Sequence, residues 1–504
     1  MINLRLNRIA SFFKAYLAVN LVLLAYGILN LFCNNLYFAV LFAHLFLGIF
    51  TTFPLLFVKR SGYYIFAANF IFFFFSLPAA VVMILFGETM NPNAFFAIFN
   101  TDSSEAAEFI ANYTHKIPVF MLYVALPILS SIFFRKTGLY TENRLKYLSI
   151  LLIPIFIITV RTDTFKNSVF QRTKRAYINY QNEIKNLKDL RKIKDKQVEF
   201  DAVGGDYNLV FIVGESASAL HMKAYGYFRD TTPFTDKLPF IRLTGVTTDA
   251  HTIAAILKMF NAYDELNGSL QNILTQSGYE TYWISNQPTL GSGDTPIQSV
   301  ASRVKYEKHI MRGQFDEMLI SLVESALKGE GRKAVFVHLI GSHTGYGRRY
   351  PKQFRYFNDK DGLSGFALKH YREVNHYDNS IRYTDSLIAR FAEIAGENNA
   401  FLIYVADHGE EVFDLSNFSG HTNGLISRYM SDVPFFILPP NDCKKDLAIY
   451  YKRKEPVLIT NVTYIVEDLL GVYPKGFSEQ IHPLSYYNPE EVYSGGKRHD
   501  TLAR

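Results

Sequence analysis

Cysteine is scarce in this chain: only Cys33 and Cys443 occur among 504 residues. Cys33 lies within a long apolar run, and Cys443 lies far away in the second part of the chain. The disulfide framework that stabilises many exported domains is therefore excluded. Any part of the chain that is exported must be held together by its hydrophobic core or by a metal ion.

The chain also lacks a strong net charge, internal repeats and low-complexity tracts. Its formal net charge is +6, which gives no indication of a nucleic-acid partner. One basic stretch, residues 172–196, would suit a membrane surface. A solvated helix that carries charges of both signs is the more ordinary interpretation of that stretch.

Long apolar runs are abundant, and nearly all of them lie within residues 1–160. Five of these runs approach or reach the roughly 20 residues that cross a bilayer. They lie near 11–33, 36–58, 63–87, 117–134 and 147–160. The first run is too long, and too closely followed by the second, for a cleaved signal peptide. A buried helical core is disfavoured because soluble cores do not repeat such runs, so five transmembrane helices are predicted.

The basic residues near these runs predict the orientation of the spans, because Lys and Arg accumulate on the cytoplasmic side. They precede or begin the first span, follow the second, and separate the fourth from the fifth: Arg5, Arg8, Lys14, Lys59, Arg60, Arg135, Lys136, Arg144 and Lys146. If all five runs span, these groups lie on one side. The loop 88–116 and everything after residue 160 are then expected outside the cytoplasm.

Beyond the predicted spans, a charged connector (161–206) leads to a globular region at 207–504. There, short apolar strands alternate with amphipathic helices, which favours an α/β fold with a parallel sheet. Strands are predicted at 208–214, 279–285, 334–341, 400–406 and 433–439. Helices are predicted near 252–261, 268–277, 314–328, 376–397 and 459–469. Ligands of such sheets bind beyond the carboxyl ends of the strands.

Polar side chains follow three of these strands directly. Glu215 ends "NLVFIVGE", Asp407 and His408 end "AFLIYVADH", and "AVFVHLIGSH" contains His338 and His343. Each residue alone is more often a helix cap or an ion-pair partner. Together, carboxylate oxygens and imidazole nitrogens at one sheet edge favour a catalytic zinc site of three protein ligands, with Gly409 allowing the backbone to bend.

Thr252 is a candidate nucleophile because it begins the predicted helix at 252–261. Capping of that helix is the ordinary role for Thr at this position. A hydroxyl at a helix start is also well placed to attack phosphorus, since the amides there attract phosphate and a metal promotes deprotonation. Both roles remain open on this reasoning.

At this point six motifs, taken in order, resemble the lipopolysaccharide phosphoethanolamine transferases. They are "VGES…YGYFRDTTP", "AHTIAAI", "WISNQPT", "HLIGSHTGYGRRYP", "YDNSIRYTD" and "ADHGEE…GH". These enzymes are bacterial inner-membrane members of the alkaline phosphatase and sulfatase superfamily, with five spans and a periplasmic catalytic domain. The resemblance implies a zinc-dependent transfer of phosphoethanolamine from phosphatidylethanolamine to a lipopolysaccharide acceptor.

By the same resemblance, Glu215, Thr252, Asp407 and His408 would bind one zinc ion tightly, and Thr252 would carry the phosphoethanolamine covalently. The number of zinc ions during turnover stays open. His343 and His421 match histidines that contact substrate phosphate or a second zinc ion. His338 has no match and is interpreted as a core histidine, whereas the role of His251, beside Thr252, stays open.

The loop at 88–116 resembles the loop that holds the lipid donor in this family, or it is an interfacial helix anchored by Phe side chains. Thr101 and Glu105 look like the polar donor contacts, although Ala97 replaces the expected amide. The missing disulfides and the "AHTIAAI" setting are closer to the branch that modifies the lipopolysaccharide core, so lipid A and core both remain as acceptors.

Three other functions are less well supported by the sequence. Sulfatase chemistry is disfavoured because no Cys-x-Pro-x-Arg or Ser-x-Pro-x-Arg sequence occurs. A phosphoglycerol transferase would use the same nucleophile and metal with another head group. A catalytically inactive membrane protein that binds lipid head groups would not need Thr252.

Overall fold

The computed structural model describes residues 2–33, 38–52, 55, 61–86, 90, 94–95, 98–99, 117–134, 168–192, 197–250, 252–260, 269–287, 300–310, 315–421 and 426–475. The chain forms two compact units, Met1–Asn186 and Leu187–Arg504. The division between them falls inside the predicted connector 161–206.

The first unit is helical. Its helices are α1 (Ile2–Cys33), α2 (Phe38–Thr52), α3 (Ser61–Phe86), α4 (Ile117–Phe134) and most of α5 (Val169–Lys192). Two segments, Ala10–Asn30 and Gly62–Ile84, are long and apolar enough to cross a membrane. Val40–Thr52 and Ile117–Ser130 are shorter apolar helices. Five spans are therefore not confirmed: the second and fourth predicted spans form shorter helices, and 147–160 lies outside the described residues.

A polar joint holds the first three helices together. The backbone of α1 departs from helical geometry at Asn20 (φ −113°, ψ 17°). Asn69 of α3 supplies hydrogen bonds to the backbone of α1 at this point: its Nδ2 donates to Ala18 O (2.8 Å) and its Oδ1 accepts from Val22 N (3.0 Å). The Asn20 amide in turn donates to Gly48 O of α2 (3.0 Å). Such bonds satisfy backbone groups where water is scarce.

The second unit contains an eight-stranded sheet in the order β11-β3-β10-β7-β2-β6-β4-β5. Its strands are β2 (Asn208–Gly214), β3 (Ile241–Val246), β4 (Glu280–Ser285), β5 (Tyr306–His309), β6 (Lys333–His338), β7 (Ala400–Ala406), β10 (Asp432–Leu438) and β11 (Val457–Leu458). Two small sheets pair β1 (Phe200–Val203) with β12 (Val472–Pro474), and β8 (Glu411–Val412) with β9 (Ser419–Gly420). The strands β2, β6 and β7 are almost fully buried, which explains their unbroken apolar runs.

Helices connect these strands. They are α6 (Thr252–Phe260), α7 (Leu270–Gln276), α8 (Met318–Ala326), α9 (Gly365–Lys369), α10 (Tyr371–Glu397), α11 (Arg428–Ser431), α12 (Ala448–Lys452) and α13 (Val462–Leu470). All five predicted helices and all five predicted strands of this region are present, with small shifts at their ends.

The prediction of a wholly parallel sheet is wrong at β10, which runs antiparallel to both β3 and β7. Parallel neighbours need a crossover of a dozen or more residues, usually a helix. Between β7 and β10 the described chain holds only the short strands β8 and β9 and the four-residue α11. The chain therefore returns directly, and β10 enters in the opposite direction.

Candidate active site

The predicted acids and imidazole meet where β2 and β7 end. Gly214 is paired with Ala406 in parallel register, so the residues that follow, Glu215 and Asp407, leave the sheet side by side. Asp407 N donates to Gly214 O (3.0 Å), which extends this pairing by one bond. Glu215, Asp407 and His408 are all buried. The expectation that strand ends bring these three residues together therefore agrees with the structure.

Thr252, the first residue of α6, completes the cluster. Its Oγ1 lies 3.0 Å from Glu215 Oε1, 3.2 Å from Glu215 Oε2 and 3.3 Å from His408 Nε2. The side chain is only half-buried, so its hydroxyl borders both the buried ligands and the surface. Of the two roles left open by the sequence, the hydroxyl's contacts favour that of a reactive group over that of a helix cap.

Mutual charge effects dominate this cluster. Burial opposes the charge of Glu215, but the hydrogen bond and charge of His408 outweigh it and hold the pKa of Glu215 well below its usual range. Burial and the negative charge of Glu215 raise the pKa of Asp407 to about 8. Burial alone would lower the pKa of His408, yet Asp407 and Glu215 raise it to about 10. Two carboxylates buried this close together are stabilised by a positive charge between them, or one of them takes up a proton.

The same residues fit a zinc ion. One ligand atom from each of Glu215, Asp407 and His408 can be chosen so that all lie within 4.8 Å of one another. Asp407 Oδ2 is buried and has no hydrogen-bond partner in the described part of the chain, as expected for a carboxylate oxygen that binds a cation. Carboxylate oxygen and imidazole nitrogen are ligands that zinc prefers.

His421 lies beside this cluster and is held by Glu410. The ring centroids of His408 and His421 are 4.2 Å apart. His421 Nδ1 lies 2.7 Å from Glu410 Oε2, and Tyr346 donates its hydroxyl to Glu410 Oε1 (2.8 Å). One atom from each of His408, Glu410 and His421 forms a second group that can hold a metal ion. Glu410 therefore fixes the ring of His421.

His343 is half-buried and lies close enough to Glu215 to respond to its charge. Burial lowers the pKa of His343, while the Glu215 carboxylate opposes that change. Two hydrogen bonds hold the backbone of His343: its N donates to Ile340 O (3.2 Å), and its O accepts from the Arg349 side chain at Nε (3.0 Å).

His338 agrees with its interpretation as a core histidine: it is fully buried at the end of β6, and its Nδ1 lies 3.4 Å from Ser285 Oγ. Three other residues singled out in the sequence, His251, Thr101 and Glu105, lie outside the described residues.

A comparison with models of protein families matches residues 207–472, more than half of the 504 residues, to the family described as Sulfatase. The chain belongs to the sulfatase family. The match runs from β2 to the first residue of β12 and includes every residue of the cluster around Thr252.

Two curated relatives of this sulfatase-family chain are named as transferases. Phosphoethanolamine transferase EptC of Escherichia coli O18:K1:H7 (strain RS218 / NMEC) is 27% identical over 463 residues, which cover 80% of this chain and 79% of the relative. Phosphoethanolamine transferase CptA of Salmonella typhimurium (strain LT2) is 26% identical over 465 residues, with the same coverage of 80% and 79%. The predicted resemblance, and with it the prediction of an enzyme, is confirmed.

Solved structures extend this similarity. The C-terminal periplasmic domain of Escherichia coli EptC in complex with Zn is 25% identical, covers 58% of this chain and 89% of that chain, and has a TM-score of 0.51. The integral membrane protein lipooligosaccharide phosphoethanolamine transferase A of Neisseria meningitidis is 18% identical. The match covers 97% of this chain and 98% of that chain, with a TM-score of 0.61. The latter shows that the fold of an integral membrane protein extends over nearly the whole sulfatase-family chain.

Gln287 is a contact of the cluster that sequence reasoning left without a role. Its Nε2 donates to Glu215 Oε2 (2.8 Å) and to Leu339 O (3.1 Å). The motif "WISNQPT" contains it, and its position two residues after β4 was the available signal. Gln287 therefore orients the Glu215 carboxylate.

The turn after Glu215 is fastened by a buried tyrosine. Ser216 has a positive φ of 55°, which is uncommon for a residue other than glycine. Tyr377 of α10 donates its hydroxyl to Ser216 O (2.7 Å) and accepts from Ser218 N (2.9 Å). Ser216 N in turn donates to Asp407 Oδ1 (3.2 Å), so the turn also orients that carboxylate.

Gly409 is required for a different reason than the sequence suggested. The φ angle of Gly409 is not positive, so this position does not need the left-handed backbone conformation that favours glycine. A Cβ at this position would instead lie 2.1 Å from Tyr429 O. Gly409 N donates to Met430 O (2.7 Å), and this close backbone approach fixes the turn after His408.

We expect Gly409→Ala to destabilise the protein by about 1–3 kcal/mol, the usual cost of inserting a methyl group into packed structure. The variant should also bind zinc more weakly, because the turn carries His408. Gly396→Ala, within α10, is the matched control, because the Cβ added there would meet only Asn441 Nδ2, at 3.8 Å. Thermal unfolding and zinc content measure both effects. Equal unfolding temperatures for the two variants would contradict the assigned contact.

A buried cluster of charged side chains surrounds His221. His221 Nδ1 lies 2.8 Å from Asp378 Oδ1, and its Nε2 lies 3.1 Å from Asp414 Oδ1. Arg229 also donates to Asp378 (2.9 Å), as does Tyr227 (3.1 Å). Burial opposes the charge of His221, but the two aspartates outweigh it and raise the pKa to about 10.

Because the pKa of His221 is raised in the folded state, its stabilisation is fully present below pH 6.5 and is lost as pH rises through about 10. We expect His221→Gln to lower the free energy of unfolding at pH 6.5 by about 3 kcal/mol. The difference from wild type should shrink towards pH 10. His370→Gln removes a histidine that bonds Asn417 and, within the described residues, no carboxylate, so it should show no such trend. The measurement is the unfolding temperature of each variant between pH 6.5 and pH 10. A difference from wild type that stays constant over this range would exclude a charged His221.

Proposed function

We propose that this chain transfers phosphoethanolamine from phosphatidylethanolamine to a lipopolysaccharide acceptor, with Thr252 as the nucleophile. One observation carries the proposal: Thr252 Oγ1 lies 3.0 Å from Glu215 Oε1 and 3.3 Å from His408 Nε2. A hydroxyl bonded to a buried carboxylate and an imidazole is the arrangement of an activated nucleophile. The names of the relatives support phosphoethanolamine as the transferred group.

Glu215, Asp407, His408 and Thr252 would hold one zinc ion, and bound zinc would stabilise negative charge on the phosphoryl oxygens and lower the pKa of the hydroxyl. The zinc in the Escherichia coli EptC domain supports this choice of metal.

The chemistry has two balanced steps. In the first, Thr252 Oγ1 loses its proton to solvent and forms a bond to phosphorus. The bond from phosphorus to the diacylglycerol oxygen breaks, and that oxygen takes up a proton from solvent. In the second, an acceptor oxygen, deprotonated by solvent, forms a bond to phosphorus, the bond from phosphorus to Oγ1 breaks, and Thr252 Oγ1 takes up a proton from solvent.

His343 and His421 would orient the phosphate or assist the leaving oxygen. The hydrogen bond of 2.7 Å between Glu410 and His421 Nδ1 fixes the ring of His421 beside His408. A neutral His343, favoured by its lowered pKa, can donate from one ring nitrogen and accept at the other.

The first unit would keep the two-tailed donor within reach, because such a lipid does not readily enter a soluble pocket. We place the chain in a bacterial inner membrane, with several spans and the second unit in the periplasm. Thr101 and Glu105 would contact the donor. The integral membrane fold of the Neisseria meningitidis protein is consistent with this placement.

Mass spectrometry tests the proposal directly. Lipopolysaccharide from cells that express the chain should gain one phosphoethanolamine group, and phosphatidylethanolamine should yield diacylglycerol. A phosphoglycerol addition would indicate a phosphoglycerol transferase instead. Binding of lipid without either product would indicate a non-catalytic head-group protein, and both results would overturn the proposal.

A further inference from the structure

A cavity of about 360 Å³ lies in the second unit, at the start of α10. Its lining includes Arg355, Arg372 and His376, together with the aromatic side chains of Phe357 and Tyr371. None of these residues belongs to the cluster around Thr252.

The cavity is rich in positive charge. Within the described residues, the guanidinium groups of Arg355 and Arg372 form no ion pair with a carboxylate. Lys360 adds a third cation, since its Nζ lies 4.9 Å from the centre of the Tyr371 ring. The hydrogen bond and charge of Arg372, with the charge of Lys360, lower the pKa of the Tyr371 phenol. The acids next to these residues are Asp359, Asp361 and Glu373. Within the described residues none of them forms an ion pair with Arg355, Arg372 or Lys360, and Asp359 instead lies 3.9 Å from Arg229. In that part of the chain no ion pair therefore neutralises the three cations of the cavity.

His376 adds a directed hydrogen-bond donor. Asn379 Nδ2 donates to the Tyr350 hydroxyl (3.3 Å), which lies 2.7 Å from His376 Nδ1. Burial, with the charge of Arg355, lowers the pKa of His376 and so favours a neutral ring. A neutral ring that accepts from Tyr350 at Nδ1 carries its proton on Nε2. The lining thus combines two guanidinium forks with one N–H donor, which is the donor set that a phosphate group takes.

The walls also suit a sugar ring. Phe357 and Tyr371 supply aromatic surface beside the charged groups. Asn375, which lines the cavity as well, is fixed, because its Oδ1 accepts from Arg229 (2.7 Å) and its Nδ2 donates to Asp359 O (2.7 Å). A pocket with a few polar groups and aromatic walls suits a compact ligand.

One segment of chain joins this cavity to the catalytic cluster. His343, beside Glu215, begins it, and Arg349 closes it by donating to His343 O (3.0 Å). Within it, Gly347 packs on His376 so closely that a Cβ there would lie 3.1 Å from His376 Nδ1. His376 therefore links the lining of the cavity to the segment that also carries His343.

We propose that this cavity binds a phosphorylated sugar of the acceptor and so positions the acceptor oxygen for the second step. The proposal rests on the proposed function, because it assigns a site to that reaction's acceptor. The donor step, in which Thr252 takes up phosphoethanolamine, does not depend on it.

The test uses the full chain in lipid nanodiscs, with the double variant Arg355→Gln/Arg372→Gln. The matched control is Lys328→Gln/Lys352→Gln, which removes two exposed positive charges outside the cavity lining. Rates of transfer to phosphorylated and to chemically dephosphorylated lipopolysaccharide give KM and kcat for each acceptor. Uptake of phosphoethanolamine on Thr252, measured without acceptor, reports the donor step alone.

Loss of charge-assisted bonds to phosphate should raise KM for the phosphorylated acceptor roughly tenfold or more, with kcat little changed. Transfer to the dephosphorylated acceptor, the donor step and the control variant should stay near wild type. An unchanged KM, or an equal rise with both acceptors, would overturn the site. Weaker binding to phosphatidylglycerol vesicles, without a change in acceptor KM, would also overturn it in favour of a lipid head group. If the wild-type donor step itself is absent, the proposed function fails instead.

Discussion

Thr252→Val should lower the transfer rate by at least about 10³-fold, because removal of a nucleophile abolishes the covalent route. Valine keeps the shape of threonine and removes only the hydroxyl that lies 3.0 Å from Glu215 Oε1. The loss would therefore report chemistry rather than packing. Transfer to lipopolysaccharide, measured by mass spectrometry with purified full-length protein, is the readout.

Thr252→Ser is the matched control, since it removes a methyl group and keeps the hydroxyl. It should retain measurable transfer. Both variants should stay folded and bind zinc, because Glu215, Asp407 and His408 remain in place. Full transfer by Thr252→Val would show that another group attacks the donor.

The second large effect concerns the metal. His408→Ala and Asp407→Asn should each remove nearly all tightly bound zinc, because each deletes one of three buried ligands within 4.8 Å of one another. The expected loss of affinity exceeds the roughly 10–100-fold that follows removal of a group that merely orients a ligand. Zinc per chain, measured after dialysis by elemental mass spectrometry, gives the result without any activity assay.

His370→Gln provides the control for this experiment, since it removes a histidine that bonds Asn417 and lies outside both candidate metal groups. A chelator should lower the unfolding temperature of wild type and of this control, because bound metal stabilises the folded state. It should leave His408→Ala unchanged. Wild-type zinc content in His408→Ala would refute the ligand assignment.

The strands that carry the ligands could be predicted because they lie in the middle of the sheet. β2 and β7 are buried on both faces, so their sequences are unbroken apolar runs that end abruptly at Glu215 and Asp407. In contrast, β3 contains Arg242, Thr244 and Gly245, and its identity as a strand depends on pairing with β10. Local pattern alone does not encode such a partner.

The surroundings of the ligands were harder to predict for a related reason. Glu410 reaches His421, eleven positions later, because β8 and β9 pair Glu411 with Gly420 and fold the intervening turn back. The contact from Gln287 to Glu215 depends on strands that meet only in the folded sheet. The family resemblance had linked His421 to phosphate or zinc, but it gave no information on what holds the ring.

The most direct measurement concerns the covalent intermediate on Thr252. Purified full-length protein is incubated with phosphatidylethanolamine in the absence of acceptor, quenched with acid, digested and analysed by tandem mass spectrometry. We predict one phosphoethanolamine group on Thr252 in wild type, its loss after addition of lipopolysaccharide, and none in Thr252→Val. An adduct on another residue, or transfer to lipopolysaccharide with no adduct under conditions that preserve a phosphothreonine diester, would contradict a Thr252 nucleophile.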